Sequence, residues 1–427
     1  MSRPGSSEPV VSASSSAARG AVEAVWRIES ARIVGALARY TGDFSLAEDL
    51  AQEALAEALV SWTVHGVPDQ PTGWLLTMGR RRAVDVFRRR AARDERYAIL
   101  ANGIDASGPG PDVLFDPDAI DDDVLALMFV ACHPLLSKES RIALTLRVVG
   151  GLGTEEIARA FLVPVPTVQA RVTRAKKALA AAGVRFAAPE PDERSARLGS
   201  VLQVVYLIFT EGAYATGGDA WMRVSVADEA RRLARVLVRL APEPESFGLL
   251  ALLELTAARF PARLDAHGRP VLLEDQDRRL WDQAAIRRGR AALEQAGGEG
   301  RGLGAYGLQA SIAECHAVAA SVEETDWRRI VILYEALGRL TPSAVIELNH
   351  AVAVAMESGP ADGLALVDAI ATRGELARSH LLPTVRGELL TRLGRRVEAR
   401  ADLLRAIELC GNAAERAAIE RKLVELE

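Results

Sequence analysis

Arg171, Arg174 and Lys177 recur every three residues along one stretch of the chain, with Thr167, Gln169 and Lys176 beside them. From Val165 to Arg185 five residues are basic and none is acidic. Such side chains do no covalent chemistry; they hydrogen-bond. A guanidinium fork meets a guanine edge at two points, and an ammonium seeks phosphate. That task needs a rod with one face held and one face free. Val168, Val172, Ala175 and Leu179 supply the held face, since they repeat at helical spacing. Upstream, the segment beginning at Thr154 forms a first helix, with Thr154 placed to cap it through its hydroxyl and Glu155 and Glu156 in the first turn. Val163-Pro164-Val165-Pro166 interrupts the pair, because proline disfavours helix in the residue before it. Pro166 then suits the opening turn of the second helix. Residues 154–183 thus predict a helix-turn-helix whose free basic face suits a DNA major groove.

Two further groups carry chemistry. Leu46 to Trp62 is an amphipathic helix, with Leu46, Leu50 and Ala54 in one row and Leu55, Leu59 and Trp62 extending the buried side. Its exposed side is expected to hold Glu48, Asp49, Gln52, Glu53 and Glu57, of which Asp49, Gln52 and Glu53 fit a basic or polar partner helix. After a loop with Gly66, Pro68, Pro71 and Gly73, Trp74 to Arg90 forms a helix with six arginines and one internal aspartate. Trp74, Thr77, Arg80, Arg81 and Arg88 are its candidates for DNA, since arginines track phosphates and aromatic rings receive unpaired bases. Core packing of Trp62 and Trp74 is the plainer use of those rings.

Positioning these groups takes helices throughout. Leucine, alanine, arginine and glutamate dominate, β-branched alternation is scarce, and glycine and proline fall between segments, so the chain is all-α. The 427 residues divide into a small, polar, disordered tail at 1–19, a helical domain at 20–97, a linker at 98–123, a domain at 124–185 ending in the helix-turn-helix, and a helical region at 195–427. Tyr97 to Ser137 holds seven aspartates and no lysine or arginine, so the net charge of -5 hides local basic patches. Cys132, Cys315 and Cys410 are far apart and lack metal-ligand spacing, which points to a reducing, cytoplasmic setting. No apolar run is long enough to span a bilayer, and no membrane partner is expected.

The last region carries a repeat. Ile312-Ala-Glu-Cys-His316-Ala-Val-Ala returns as Ile346-Glu-Leu-Asn-His350-Ala-Val-Ala, 34 residues on. Tyr334-Glu-Ala-Leu337, Val367-Asp-Ala-Ile370 and Leu404-Arg-Ala-Ile407 follow a similar beat, and residues 387–394 run from one glycine to another as such a unit's turn does. Thirty-four residues is the tetratricopeptide period, in which helix pairs stack into a curved surface. The region offers no phosphate loop, nucleophile elbow or HExxH. Glu314 and Glu347 form no acid/base pair in sequence, and His316 and His350 lack the further ligands of a metal site. No catalytic residue, metal or cofactor is assigned.

The order of these parts resembles the extracytoplasmic-function sigma factors of the sigma-70 family, specifically the subgroup with a C-terminal TPR-like extension. Ala47 to Glu53 looks like region 2.2, and the resemblance implies that Asp49, Gln52 and Glu53 bind the β′ clamp helices of RNA polymerase core. Trp74 through Arg88 looks like regions 2.3 and 2.4, which melt and read the −10 element, helped by the loop at 63–73. Arg81 stands where many members have asparagine, so the usual −10 preference is not carried over. Thr154 to Lys177 looks like region 4.2, implying −35 contacts from Thr167, Gln169, Arg171, Arg174, Lys176 and Lys177, with Leu162 in place of a common turn glycine. Tyr206 to Tyr214 also looks like that subgroup, and nominates Glu211 and Tyr214 as a regulatory interface, against a plain helix end at Gly212. The resemblance implies a sigma factor modulated in cis by its extension, which contacts the sigma domains or another protein. The alternative is a helix-turn-helix regulator whose repeats sense a ligand or protein; Asp49 to Glu53 separates the two, because a simple repressor needs no polymerase-binding helix.

Overall fold

The computed structural model describes residues 9–91, 117–161, 163–187, 189, 191–214, 222–266, 269–271, 273–298, 300 and 302–426. Among the described residues there are 18 α-helices and no strand beyond a single bridge between Leu264 and Pro270. The chain forms two compact units, residues 1–204 and 205–427. The division falls inside a helix rather than at the break expected near 190.

The first unit is built from α1 (Pro9–Thr41), α2 (Phe44–His65), α3 (Pro71–Ala91), α4 (Pro117–Ala131), α5 (Lys138–Val148), α6 (Thr154–Ala160), α7 (Val165–Ala181) and the start of α8 (Pro191–Ala213). α1 packs on α2, α3 and α4. Residues 9–19, expected in the tail, are helical although only their alanines and Arg19 are strong helix formers; residues 1–8 lie outside the described residues. Asp43 starts α2 by accepting from the Leu46 amide at 3.0 Å. Leu46, Leu50, Ala54, Leu55 and Trp62 are buried as their spacing predicts, but Leu59 is 41% exposed. Glu48, expected on the open side, is buried, because it falls on a second apolar row with Phe44, Ala51, Leu55 and Ala58. The Trp62 ring meets Trp74 edge to face, 5.7 Å between centres, so both tie α2 to α3.

The acidic linker falls largely on residues 92–116, outside the described residues; its end is helical and opens α4. There Asp123 is buried against α1, with Arg39 at 3.3 Å. Burial pushes its carboxyl up to about 6, against the pull of Arg39. A raised acid binds protons that the unfolded chain releases, so this group's contribution to stability falls as pH rises from about 4 to about 6. Asp123→Asn is therefore expected to stabilise the unit at pH 7.5 by roughly 1–2 kcal/mol, and to flatten its melting temperature between pH 7 and 5. A lower melting temperature at pH 7.5 would contradict this.

Against α1 also sits the loop before α6. Gly151 has φ +68°, and a Cβ there would lie 2.7 Å from the Ser30 hydroxyl, so glycine is required. Thr154 does not cap α6; Gly153 does, and its amide donates to the Glu156 carboxylate at 2.7 Å. In α7 the stripe Val168, Val172, Ala175 and Leu179 is buried as expected. Leu162 lies outside the described residues.

The second unit continues α8 and adds α9 (Val224–Leu240), α10 (Pro244–Ala257), α11 (Gln283–Gly297), α12 (Ala305–Val318), α13 (Trp327–Leu340), α14 (Ala344–Glu357), α15 (Pro360–Thr372), α16 (Leu381–Arg392), α17 (Arg396–Leu409) and α18 (Ala413–Glu425). From α12 on, each helix packs on the next. The repeated isoleucines Ile312 and Ile346 lie on α12 and α14 and share one apolar cluster with Ile330 and Leu337 of α13. Gly394, at φ +74°, makes the turn between α16 and α17. Under α9, the Glu254 carboxylate is 1% exposed and takes Arg231 at 2.6 Å, Arg235, and Arg288 at 3.1 Å.

Candidate nucleic-acid and polymerase interface

The held face of α7 leaves a free one. Gln169, Arg174 and Lys177 are exposed on it, whereas Thr167 and Arg171 are half-buried. Arg171 lies near Glu139 of α5, whose carboxyl is held below the usual range first by its own amide and then by Ser137 and Arg171. Lys176 does not join this face. Its ammonium reaches the carboxylates of Glu48 at 2.8 Å and Asp49 at 2.7 Å on α2. Arg147 of α5 approaches the other Glu48 oxygen at 3.5 Å. Burial works against the Lys176 charge, but Glu48 and Asp49 outweigh it and raise its pKa above the ordinary lysine value. Arg27 of α1 pairs in the same manner with Glu156 of α6.

The three expected polymerase contacts therefore differ in their freedom. The Asp49 side chain is 63% exposed yet engaged by Lys176. Glu53 is exposed and meets Arg82 of α3 at 3.2 Å, while Arg82 also takes Glu57 at 2.6 Å. Gln52 is half-buried, and its amide nitrogen has no hydrogen-bond partner among the described residues. On α3, Arg81 and Arg88 are exposed. Arg80 stacks over the Tyr40 ring at 4.8 Å, the Thr77 hydroxyl donates to the Gly73 carbonyl at 2.8 Å, and Trp74 is half-buried against Trp62. The structure thus brings Asp49 of α2 to Lys176 of α7 and Glu53 of α2 to Arg82 of α3, while Arg81 and Arg88 stay exposed.

Glu48, Arg82 and Arg147 are the residues that sequence reasoning missed. A carboxylate in register with Phe44, Ala51 and Leu55 is the signal that marked Glu48, because a charge on an apolar row demands a partner. In the second unit, Glu211 pairs with Arg223 at 2.6 Å, and Tyr214 lies under the Arg263 guanidinium at 4.5 Å. The helix continues to Ala213, one residue past Gly212. His316 packs edge to face on Trp327, 5.2 Å between ring centres. The group of metal-capable side chains that the described residues bring together is instead His380, Cys410 and Glu415, within 4.8 Å of one another. No helix of the described residues is long and apolar enough to cross a membrane.

Comparison with known proteins matches these parts one by one. Residues 27–93 match the model of sigma-70 region 2, residues 126–179 that of sigma-70 region 4, and residues 197–297 a family of unknown function, DUF6596. An uncharacterized protein of Rhizobium meliloti is 42% identical over 403 residues, 91% of this chain and 92% of its own. The probable ECF RNA polymerase sigma factor SigI of Mycobacterium tuberculosis is 29% identical over 158 residues, 36% of this chain and 53% of its own. The ECF RNA polymerase sigma factor SigK of Mycobacterium ulcerans is 30% identical over 155 residues, 35% of this chain and 78% of its own. No solved structure matches. With α2 and α3 inside the region 2 match and α7 inside that of region 4, the chain belongs to the ECF RNA polymerase sigma factors of the sigma-70 family, and carries a C-terminal helical, TPR-like extension.

Proposed function

We propose that this sigma factor works as a closed clasp. α2 docks on the β′ clamp helices of polymerase core through Asp49, Gln52 and Glu53; α3 and the loop before it open and read the −10 element; α7 reads the −35 element. In the free protein the docking and −35 helices occupy each other, and core binding separates them. The observation that carries this reading is Lys176, a −35 candidate, bonded to Glu48 and Asp49 beside the docking face. Asp49 is exposed, so its share of the contact is about 0.2–1 kcal/mol, whereas Lys176 and Glu48 are largely buried and the polymerase interface must supply more than an exposed pair is worth to part them. The protein works in the cytoplasm, where polymerase is, and performs no catalysis itself.

The acidic linker repels duplex DNA and follows a basic channel in the polymerase instead; Asp121 and Asp122 are exposed and available for that, whereas Asp123 is buried and paired with Arg39. The helical extension tunes activity in cis. Region 2 is what a stand-alone helix-turn-helix regulator would lack, which favours the sigma reading over it.

Run-off transcription with purified core tests the assignment of α7. Arg171→Ala is expected to weaken recognition of the preferred −35 sequence by about 1–3 kcal/mol, the range of one base contact. Equal loss on every DNA would make Arg171 a phosphate contact. The same assay tests the extension with a chain ending at Val204, which keeps the bonds of Arg197 to the Phe129 carbonyl and of Ser200 to the Cys132 carbonyl. An unchanged rate would make the extension a passenger.

A further inference from the structure

The ends of three helices in the second unit bring a histidine, a cysteine and a glutamate to one point. His380 stands just before α16, where its carbonyl accepts from the Thr384 amide at 3.0 Å and hydroxyl at 2.7 Å. Cys410 follows α17, and its carbonyl accepts from Arg416 Nη2 at 2.6 Å. Glu415 lies in the first turn of α18, which Asn412 starts by accepting from the Glu415 amide at 3.1 Å. Ile419 of α18 then buries with Leu403, Ala406 and Cys410, and Lys422 pairs with Glu388 of α16. All three side chains are thus carried on fixed backbone.

Their ligand atoms lie within 4.8 Å of one another. One oxygen of Glu415 is the shared vertex, 3.3 Å from His380 Nε2 and 3.9 Å from Cys410 Sγ. Atoms bonded to a tetrahedral zinc ion at roughly 2.0–2.3 Å stand about 3.3–3.5 Å apart, so two of the three edges are near that length. Cys410 is 1% exposed, but the side chains of His380 and Glu415 are 23% and 31% exposed, which leaves a way in from solvent. Burial, with Glu415 adding to it against the Asn412 backbone and Arg416, pushes the Cys410 thiol up, so without a metal it keeps its proton at pH 7. Arg416 acts on the thiol and Arg263 on Glu415, and both favour the anionic forms that a cation needs.

Imidazole nitrogen, thiolate sulfur and carboxylate oxygen are the donors that zinc takes, whereas magnesium and calcium take oxygen alone. A neutral imidazole, a thiolate and a carboxylate together carry two negative charges, which one divalent cation cancels. We infer that His380, Cys410 and Glu415 bind a zinc-type divalent cation, with water in the fourth position. On binding, the Sγ–H bond breaks, an Sγ–metal bond forms and the proton passes to solvent, with no change of oxidation state. The ion ties the first turn of α18 to the end of α17 and the start of α16, and so fastens the last helix of the stack. The site belongs to the second unit alone and stands apart from how that unit acts on transcription.

Titration of the full chain, stripped of metal with a chelator and kept reduced, tests this with Zn²⁺, with Co²⁺ as a coloured probe and Mg²⁺ as the hard-ion control. One Zn²⁺ per chain is expected to bind saturably and to raise the melting temperature of residues 205–427 by several degrees, while Mg²⁺ does neither. Co²⁺ is expected to show the charge-transfer absorption of a thiolate ligand, and Cys410→Ser to abolish it. His380→Gln, at a partly exposed side chain, is expected to keep the fold and bind Zn²⁺ at least about tenfold more weakly, which decides the matter should Cys410→Ser not fold. His65→Gln, at an exposed histidine of α2, is the control and is expected to bind as wild type does. No one-to-one binding, no thiolate absorption, an equal response to Mg²⁺, or an affinity that survives Cys410→Ser or His380→Gln or falls equally in His65→Gln would overturn the site.

Discussion

Replacing Asp49 and Glu53 together with lysine is expected to weaken binding to polymerase core by at least about 100-fold while leaving the helical content unchanged. Both side chains are more than half exposed; Arg82 is itself partly exposed, and the largely buried Lys176 keeps Glu48 as its other partner. Losing such pairs costs about 1 kcal/mol or less each, too little to unfold the unit. Lysine at position 49 would also repel Lys176 and loosen the clasp, so lost binding could not come from tighter closure. A pull-down of core equal to wild type would refute the docking role of α2.

The second large effect is on stability. Glu254→Gln keeps the side chain's shape but removes the carboxylate shared by Arg231, Arg235 and Arg288. Burial raises the Glu254 pKa, yet the three arginines, Arg231 foremost, overcome it and hold the group below the usual glutamate value. A depressed acid contributes stability above its unfolded pKa and loses it as pH falls through the folded one. Arg235 and Arg288 are nearly half exposed and recover solvation, so the expected loss is about 2–4 kcal/mol, toward or below the low end for a broken buried pair. The melting transition of residues 205–427 should fall by roughly 5–15 °C. A shift within about 1 °C would show that the carboxylate is not needed.

Much of this was legible in the chain. Helical period placed α2, α3 and α7, and the apolar row of α7 is buried residue for residue. The repeat of Ile312 at Ile346 marked helices that share a cluster. Local period says which face is buried, not what covers it, and the misses share that cause. Glu48 looked solvated because each residue was weighed with its own helix, while its partners, Lys176 and Arg147, lie about a hundred residues or more downstream. Lys176 looked like a phosphate contact for the same reason. Thr154 lost the capping role to Gly153, where the Glu156 side chain reaches back to the amide.

The clasp can be watched directly. Val60 on α2 and Ala180 on α7 are exposed, and Cys132, Cys315 and Cys410 are buried, so cysteines placed at those two sites can be labelled selectively with a donor and an acceptor dye. Energy transfer is expected to be high in the free protein and to fall when core polymerase is added, with co-elution confirming the complex. Transfer that stays high in the bound complex would mean that α2 and α7 never part, and would contradict the proposal that one chain holds its docking face and its −35 reader against each other until the polymerase separates them.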